Sequence, residues 1–216
     1  MPNCEVDDGP ISKENYWKKE NIIKVLHLLK EPTEQNDSIP NLVINKGLDI
    51  LSTTLFRVSA RRSHCIQNNK YPDWKTIKEL EKQVLFDALK KSAVVNLSKI
   101  CRFDKERKEP RTTPRRLVFE FAKNYYERWF GKLQECKPNV VICGGTFDAV
   151  LKTLKIKDED IKYTSTGMCC FKTIDALFLD CRHPRLIGLD ENIEYTYFAE
   201  SIADLFEKEK EILGVI

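Results

Sequence analysis

The chain has 216 residues, 42% of them apolar and 32% charged, which suits one ordinary domain with a real core and excludes a disordered polymer. Its formal net charge of +3 does not by itself mark a nucleic-acid partner, because that depends on where the charge sits. No apolar run approaches the roughly 20 residues that span a bilayer, and the polar opening "MPNCEVDDGPISKENYWKKE" is no secretory signal, so a cytoplasmic protein with no membrane partner is expected.

The first strand signal is "NIIKVLHLLKEP", Asn21 to Pro32, a near-continuous Ile/Val/Leu run of the kind buried on both faces of a sheet. His27 inside it reads as a packed core histidine. The polar loop "TEQNDSIP" follows, and apolar residues at helical spacing from Leu42 to Phe56 predict one or two short helices. Asp73 is placed to cap a helix from Trp74 to about Lys91, with Ile77, Leu80, Val84, Leu85 and Leu89 on one face. "SAVVNLSKI" is a second short apolar run, and "CRFDKERKEPRTTPRR" after it reads as a basic loop.

A long amphipathic helix is expected from about Pro114 to Cys136, with Pro114 at a permitted first-turn position. "PNVVICGG" predicts a third strand ending in a glycine turn, and "TFDAVLKTL" a helix directly after it. "GMCCFKTIDALFLDCRHP" holds a short strand and then the fourth core strand, and a last helix runs from about Tyr197 to Glu211. Strands that alternate with helices argue for a parallel sheet with helices on both faces. The expected fold is a single α/β domain over residues 1–216, a three-layer α/β/α sandwich around a central four-stranded parallel sheet.

The eight cysteines include no C-x-x-C pair, so buried reduced thiols are favoured over a disulfide framework or a metal site. No G-x-S-x-G and no Gly-rich phosphate loop supports an unrelated doubly wound hydrolase.

In open parallel sheets ligands bind at the carboxyl ends of the strands. Four such ends bear chemistry: "LLKEPT" with Glu31, "VVNLSK" with Asn96, "VICGGT" with Gly144 and Gly145, and "LDCRHPRL" with His183. Each has a plain reading alone: a solvated loop acid, a strand-end amide capping backbone groups, a tight turn, a turn histidine. One topology brings all four to one edge, which makes the set more specific than its members.

These stretches resemble the uracil-DNA glycosylase superfamily over roughly Asn21 to Phe206. Members have a parallel four-stranded sheet between helices, an Asp-Pro or Asn-Pro motif after the first strand, an asparagine ending the second and a His-Pro motif ending the last. "LKEPT" stands where the first motif would, "VVNLSKI" is similar to the asparagine strand and "RHPRL" to the last motif. The chain departs from the pattern at Leu29, where glycine is usual, at Thr33, where the uracil-specific branch has tyrosine, and at Arg185, where serine is usual. Those replacements imply a more open pocket, suited to a bulkier or modified pyrimidine, with a role in repair or in defence against modified phage DNA. No cysteine set like that of the iron–sulfur branch is present.

The resemblance implies a metal-independent DNA glycosylase without a cofactor, acting as a monomer on single- or double-stranded DNA. Glu31 would stabilise the oxocarbenium-like sugar and orient a water, His183 would hydrogen-bond the departing base, and Asn96 would read its edge. The flipped base would be held by Lys30, Pro32, Thr33, Gly144, Gly145, Thr146 and Pro184, with Arg185 or Leu186 filling the gap it leaves. Ser98, Lys99, Arg111 and Arg115 would bind phosphates, together with basic residues at Arg57, Arg61, Arg62, Arg102, Lys105, Arg107, Lys108 and Arg116; for the stretch from Arg102 to Arg116, which Asp104, Glu106 and Glu109 interrupt, a solvated mixed-charge loop is the competing reading. His64, beside Arg61 and Arg62, reads as surface or DNA-facing, Trp129 and Phe130 as core aromatics, and Phe147 as a packing or base-stacking ring. A non-catalytic nucleic-acid or nucleotide binder on the same fold is the alternative, and it would need neither Glu31 nor His183.

Overall fold

The computed structural model describes residues 8–30, 38–98, 114–173, 175–185 and 188–208, with 103–104 and 109–110 described by backbone. Four five-residue strands run parallel through its centre: β2 (Val25–Leu29), β3 (Ser92–Asn96), β6 (Val140–Gly144) and β9 (Leu177–Cys181), in the spatial order β3-β2-β6-β9. They read as continuous apolar runs because both faces are covered. Val25, Leu29, Val94, Ile142, Leu179 and Cys181 face one core, and Leu26, Leu28, Val95, Val141, Cys143 and Phe178 face the other.

The sheet has seven strands, not the expected four. Three antiparallel strands extend the parallel centre: β1 (Gly9–Pro10) beside β3, β8 (Cys169–Lys172) beside β9, and β7 (Ile161–Tyr163) beside β8. The full order is β1-β3-β2-β6-β9-β8-β7. β1 is two residues long, and β7 exposes Tyr163 at 67%, so neither carries the apolar pattern that marks a strand.

Helices cover both faces. Over the first core lie α2 (Ile39–Lys46), a 3-10 turn (Gly47–Ser52), α3 (Thr54–Asn68), α4 (Trp74–Glu79), α5 (Lys82–Lys90) and α9 (Glu191–Lys208). Over the second lie α1 (Lys13–Tyr16), α6 (Arg115–Asn124), α7 (Tyr126–Cys136) and α8 (Phe147–Leu154). The basic stretch after β3 carries a short antiparallel pair, β4 (Phe103–Asp104) with β5 (Glu109–Pro110), in place of the expected loop without pairing.

Two expected helices are each broken in two. Asp73 does cap α4, its Oδ1 accepting the Thr76 N–H at 2.8 Å, but Leu80 turns extended at ψ 140 and α5 starts afresh. The stretch before Cys136 breaks at Tyr125. There the Ala122 carbonyl accepts the Trp129 indole N–H at 2.8 Å, which satisfies a fully buried ring nitrogen with a carbonyl from the last turn of α6. The last helix begins at Glu191, six residues before the expected Tyr197, because Asp190 Oδ1 accepts the N–H groups of Asn192 and Ile193.

The core residues behave as the sequence suggests. His27 is fully buried with Nε2 against Ser63 Oγ at 2.8 Å, and the Phe147 ring packs 5.4 Å from Phe171. Cys65, Cys136, Cys143, Cys170 and Cys181 are buried free thiols. Burial pushes Cys65 and Cys136 up to about 11 and Cys181 up to about 12, so these thiols stay protonated at neutral pH. Among the described residues, no helix is long and apolar enough to cross a membrane.

Candidate functional site at the carboxyl edge of the sheet

From β2 the chain steps to β3 on one side and, later, to β6 on the other, so the β2/β6 edge is the point where the winding direction switches. The carboxyl end of such a point is where ligands sit in open α/β sheets. Leu29 pairs in register with Asn96, and Gly144 with Cys181. Pairing of β2 with β3 continues beyond the strands, since the Leu97 and Ser98 N–H groups donate to the Leu29 and Lys30 carbonyls at 2.9 Å each. Lys30 is thereby fixed at the rim.

The glycine pair of β6 allows a close approach from both sides. A Cβ on Gly144 would lie 2.8 Å from Leu29 Cδ2 and 3.1 Å from Pro184 Cδ. A Cβ on Gly145 would lie 3.0 Å from Lys30 Cε and 3.7 Å from His183 Cβ, and Gly145 sits at φ +67°, where other residues are strained. The Gly145 N–H donates to the Cys143 and Cys181 carbonyls at 2.8 Å each. Lys30, Gly144, Gly145, His183 and Pro184 are thus brought together at this sheet edge. The Thr146 hydroxyl is buried and donates to the Leu28 carbonyl at 2.9 Å, so its hydrogen braces the turn.

His183 Nδ1 accepts the Arg185 N–H at 3.3 Å, which leaves the ring hydrogen on Nε2. Burial, then the charges of Lys30, Arg185 and Arg62, push its pKa down to about 3. At neutral pH His183 is therefore an uncharged imidazole with one N–H to donate.

Asn96 is fully buried at the end of β3. Its Nδ2 donates to Asp8 Oδ1 at 3.1 Å and its backbone N–H to Asp8 Oδ2 at 3.0 Å. Asn96 Oδ1 is buried with no hydrogen-bond partner among the described residues. Asp8 was not among the residues singled out from sequence, because nothing local ties a carboxylate near the N-terminus to a strand end 88 positions away.

On the α6/α8 side of the same rim is a cleft of about 200 Å³, lined by Lys30, Arg115, Phe119, Gly145, Asp148 and Asp180 among others. Arg115 forms an ion pair with Asp148, both largely exposed. Burial and then Asp148 raise the Asp180 carboxyl, against the lowering effect of Arg115. A lone carboxylate inside the apolar run "ALFLDC" was the signal that could have pointed to Asp180.

The first basic stretch is turned inward, which corrects its reading as phosphate-binding surface. Arg57 and Arg61 both bind the Glu191 carboxylate. Arg62, 3% exposed, donates from Nη1 to the Arg182 carbonyl at 2.9 Å. His64 is half-buried, its Nδ1 3.2 Å from the exposed Asn68 side-chain nitrogen, which is compatible with its reading as a surface residue. Ser98 is likewise buried. Glu31, Pro32, Thr33, Lys99, Arg102, Lys105, Arg107, Lys108, Arg111 and Leu186 lie outside the described residues.

None of the protein-family models compared with the chain matches it, and no curated protein does.

Proposed function

We propose that this protein is a DNA glycosylase that hydrolyses the N-glycosidic bond of a flipped-out uracil-like, damaged or modified pyrimidine and leaves an abasic site. The observation that carries the reading is His183, a neutral imidazole with its hydrogen on Nε2, held at the switch-point rim beside Lys30, the residue directly before Glu31.

In this reading the glycosidic bond breaks with its electron pair leaving on the base. The base carbonyl that gains charge accepts the Nε2–H hydrogen bond of His183, and a neutral donor does so without first losing its proton to the anion. The Glu31 carboxylate stabilises the oxocarbenium-like sugar and orients the water that adds to the anomeric carbon, taking up the proton that water releases. Asn96, held by Asp8, presents Oδ1 to an N–H on the base edge. A base within a duplex is out of reach of these groups, so the nucleotide must be extruded into the site, with Arg185 or Leu186 filling the gap. Phosphate contacts fall to Lys99, Arg111 and Arg115, and the protein acts as a monomer on DNA. The chemistry calls on no metal and no cofactor.

The test is base release from oligonucleotides holding uracil, mismatched thymine, hypoxanthine or modified cytosines, single- and double-stranded, with alkali to reveal abasic sites. Release by the wild type that is lost in Glu31→Gln and in His183→Ala is the expected result. DNA binding without release of any base would overturn it in favour of a non-catalytic nucleic-acid binder.

A further inference from the structure

Arg62 is a cation inside the fold, 3% exposed, on a helix that carries no ligand motif. Its neighbours Arg57 and Arg61 share the Glu191 carboxylate, whereas Arg62 makes no ion pair among the described residues. Its Nη1 donates to the Arg182 carbonyl at 2.9 Å, and its guanidinium lies 5.5 Å from the centre of the Phe198 ring. Arg182 is also held from α9, where Glu194 pairs with its side chain at 2.8 Å. Two helices therefore grip the residue directly before His183, one by its backbone and one by its side chain.

A buried, unpaired guanidinium is unfavourable, and a neutral donor would make the same single hydrogen bond at less expense. The Glu194 carboxylate of α9 offsets part of that cost, and the bond to the Arg182 carbonyl ties the charge to the residue directly before His183. We infer that Arg62 is the positioning residue of His183: its guanidinium fixes the Arg182 carbonyl, and with it the direction of the imidazole, and keeps a permanent positive charge one peptide away from the ring.

The inference deepens the glycosylase reading and rests on it for its purpose, but its physical content does not depend on any substrate. The charged groups about His183 are Lys30 beyond β2, Arg185 in its own turn and Arg62 from α3, with Glu194 of α9 turned to Arg182. Lys30 and Arg185 stand at the rim, where water weakens their field. Arg62 lies in the core on the far side of the Arg182 peptide, where water screens it little and the Glu194 carboxylate offsets part of its charge. It therefore favours the uncharged imidazole in the free protein and adds to the attraction for any ligand group that becomes anionic in front of it. Burial and this charge act together, so the imidazole remains a donor under mildly acid conditions.

The experiment is an NMR titration of the ring nitrogens of His183 in the full chain, with His183→Gln assigning its signals. In the wild type, the ring stays neutral with its hydrogen on Nε2 from pH 7.5 to 5.5. Arg62→Gln moves its titration to higher pH, and Arg62→Lys restores most of the wild-type behaviour. A wild-type His183 that titrates near the ordinary histidine value overturns the inference without any variant of Arg62. So does an Arg62→Gln protein, folded by near-ultraviolet circular dichroism, whose His183 titrates as in the wild type. If Arg62→Gln does not fold, Arg62→Lys decides: a lysine variant whose His183 titrates at the ordinary value shows that the charge is not the cause. Base release is measured separately. Silence on every oligonucleotide with the expected titrations sinks the glycosylase reading and leaves the role of Arg62 standing.

Discussion

Asp8 holds Asn96 at both ends of its reach: one carboxylate oxygen accepts the backbone N–H of Asn96 at 3.0 Å, and the other accepts its side-chain Nδ2 at 3.1 Å. Both residues are buried. The fork also fixes which way the amide faces, since the reverse orientation would bring its oxygen against a carboxylate. That leaves Asn96 Oδ1 as the acceptor without a partner among the described residues. Asp8→Ala should cost about 1–3 kcal/mol, the usual penalty for stranding buried donors, measured by denaturant unfolding. If the variant folds and Asn96 reads the base, its selectivity among bases should loosen and KM should rise more than kcat falls. Unchanged stability would mean that water replaces the carboxylate without loss.

The pH dependence of stability follows from two histidines. His27 is pushed down to about 3 by burial and then by Arg62, and His183 to about 3 by burial and then by Lys30, Arg185 and Arg62. Unfolded, each takes a proton near 6.5, so between about 6.5 and about 3 the unfolded chain binds more protons than the native one. Stability is then full above pH 6.5 and declines as the pH falls through that window. The slope is at most about 1.4 kcal/mol per pH unit per histidine. Thermal unfolding at pH 7.5 and 5.0 checks this, and His183→Gln should flatten the difference. A midpoint independent of pH would show that neither ring is held neutral.

Much of this architecture is written in local patterns, and some of it is not. The four parallel strands were legible because each is apolar on both faces, and Asp73 and the Gly144-Gly145 turn announce themselves by residue type. The antiparallel edge strands were hidden because β1 is too short and β7 too exposed to show a period. The break at Tyr125 was hidden because it depends on a bond from Trp129 to Ala122, not on any helix-breaking residue. The same holds at the site. His183 and Asn96 are strand-end residues and could be found by position, whereas Asp8 bonds Asn96 across 88 positions of sequence and Arg62 bonds Arg182, the neighbour of His183, across 120. The inward turn of Arg57, Arg61 and Arg62 needed knowledge of α9, which supplies Glu191.

Two carboxylates that pair with arginines, Glu191 and Asp148, should differ in worth. Glu191 binds Arg57 and Arg61 and joins α3 to the start of α9; Arg61 is only 8% exposed in its side chain. Burial alone would raise the Glu191 carboxyl, but hydrogen bonds and charge from Arg57 and then Arg61 outweigh it and hold it low. Glu191→Ala leaves a buried guanidinium without its anion and should lower stability by about 1–3 kcal/mol. Asp148→Ala removes an ion pair with Arg115 whose side chains are 77% and 50% exposed, and should change stability by less than about 1 kcal/mol. Denaturant unfolding of both variants compares them directly, and equal effects would contradict the burial argument.

Gly144 and Gly145 test whether the closeness of the rim residues matters more than the stability it confers. At Gly144 an added methyl meets Leu29 Cδ2 at 2.8 Å and the Pro184 ring at 3.1 Å. Leu29, buried at 2% exposure, is met first and must shift against the packed core, and Pro184, directly after His183, must give by a few tenths of an ångström. The cost of such overpacking is about 1–3 kcal/mol. At Gly145 the backbone is left-handed, which costs another residue about 1–2 kcal/mol, and its methyl would press on the flexible end of Lys30. The two alanine variants should therefore lose similar stability for different reasons. If the protein releases bases as proposed, they should differ in that activity: Gly144→Ala disturbs the histidine turn and should lower kcat sharply, while Gly145→Ala displaces a lysine tip and should act mainly on binding. Equal loss of kcat in both would show that the glycine turn serves the fold as a whole rather than the spacing of His183.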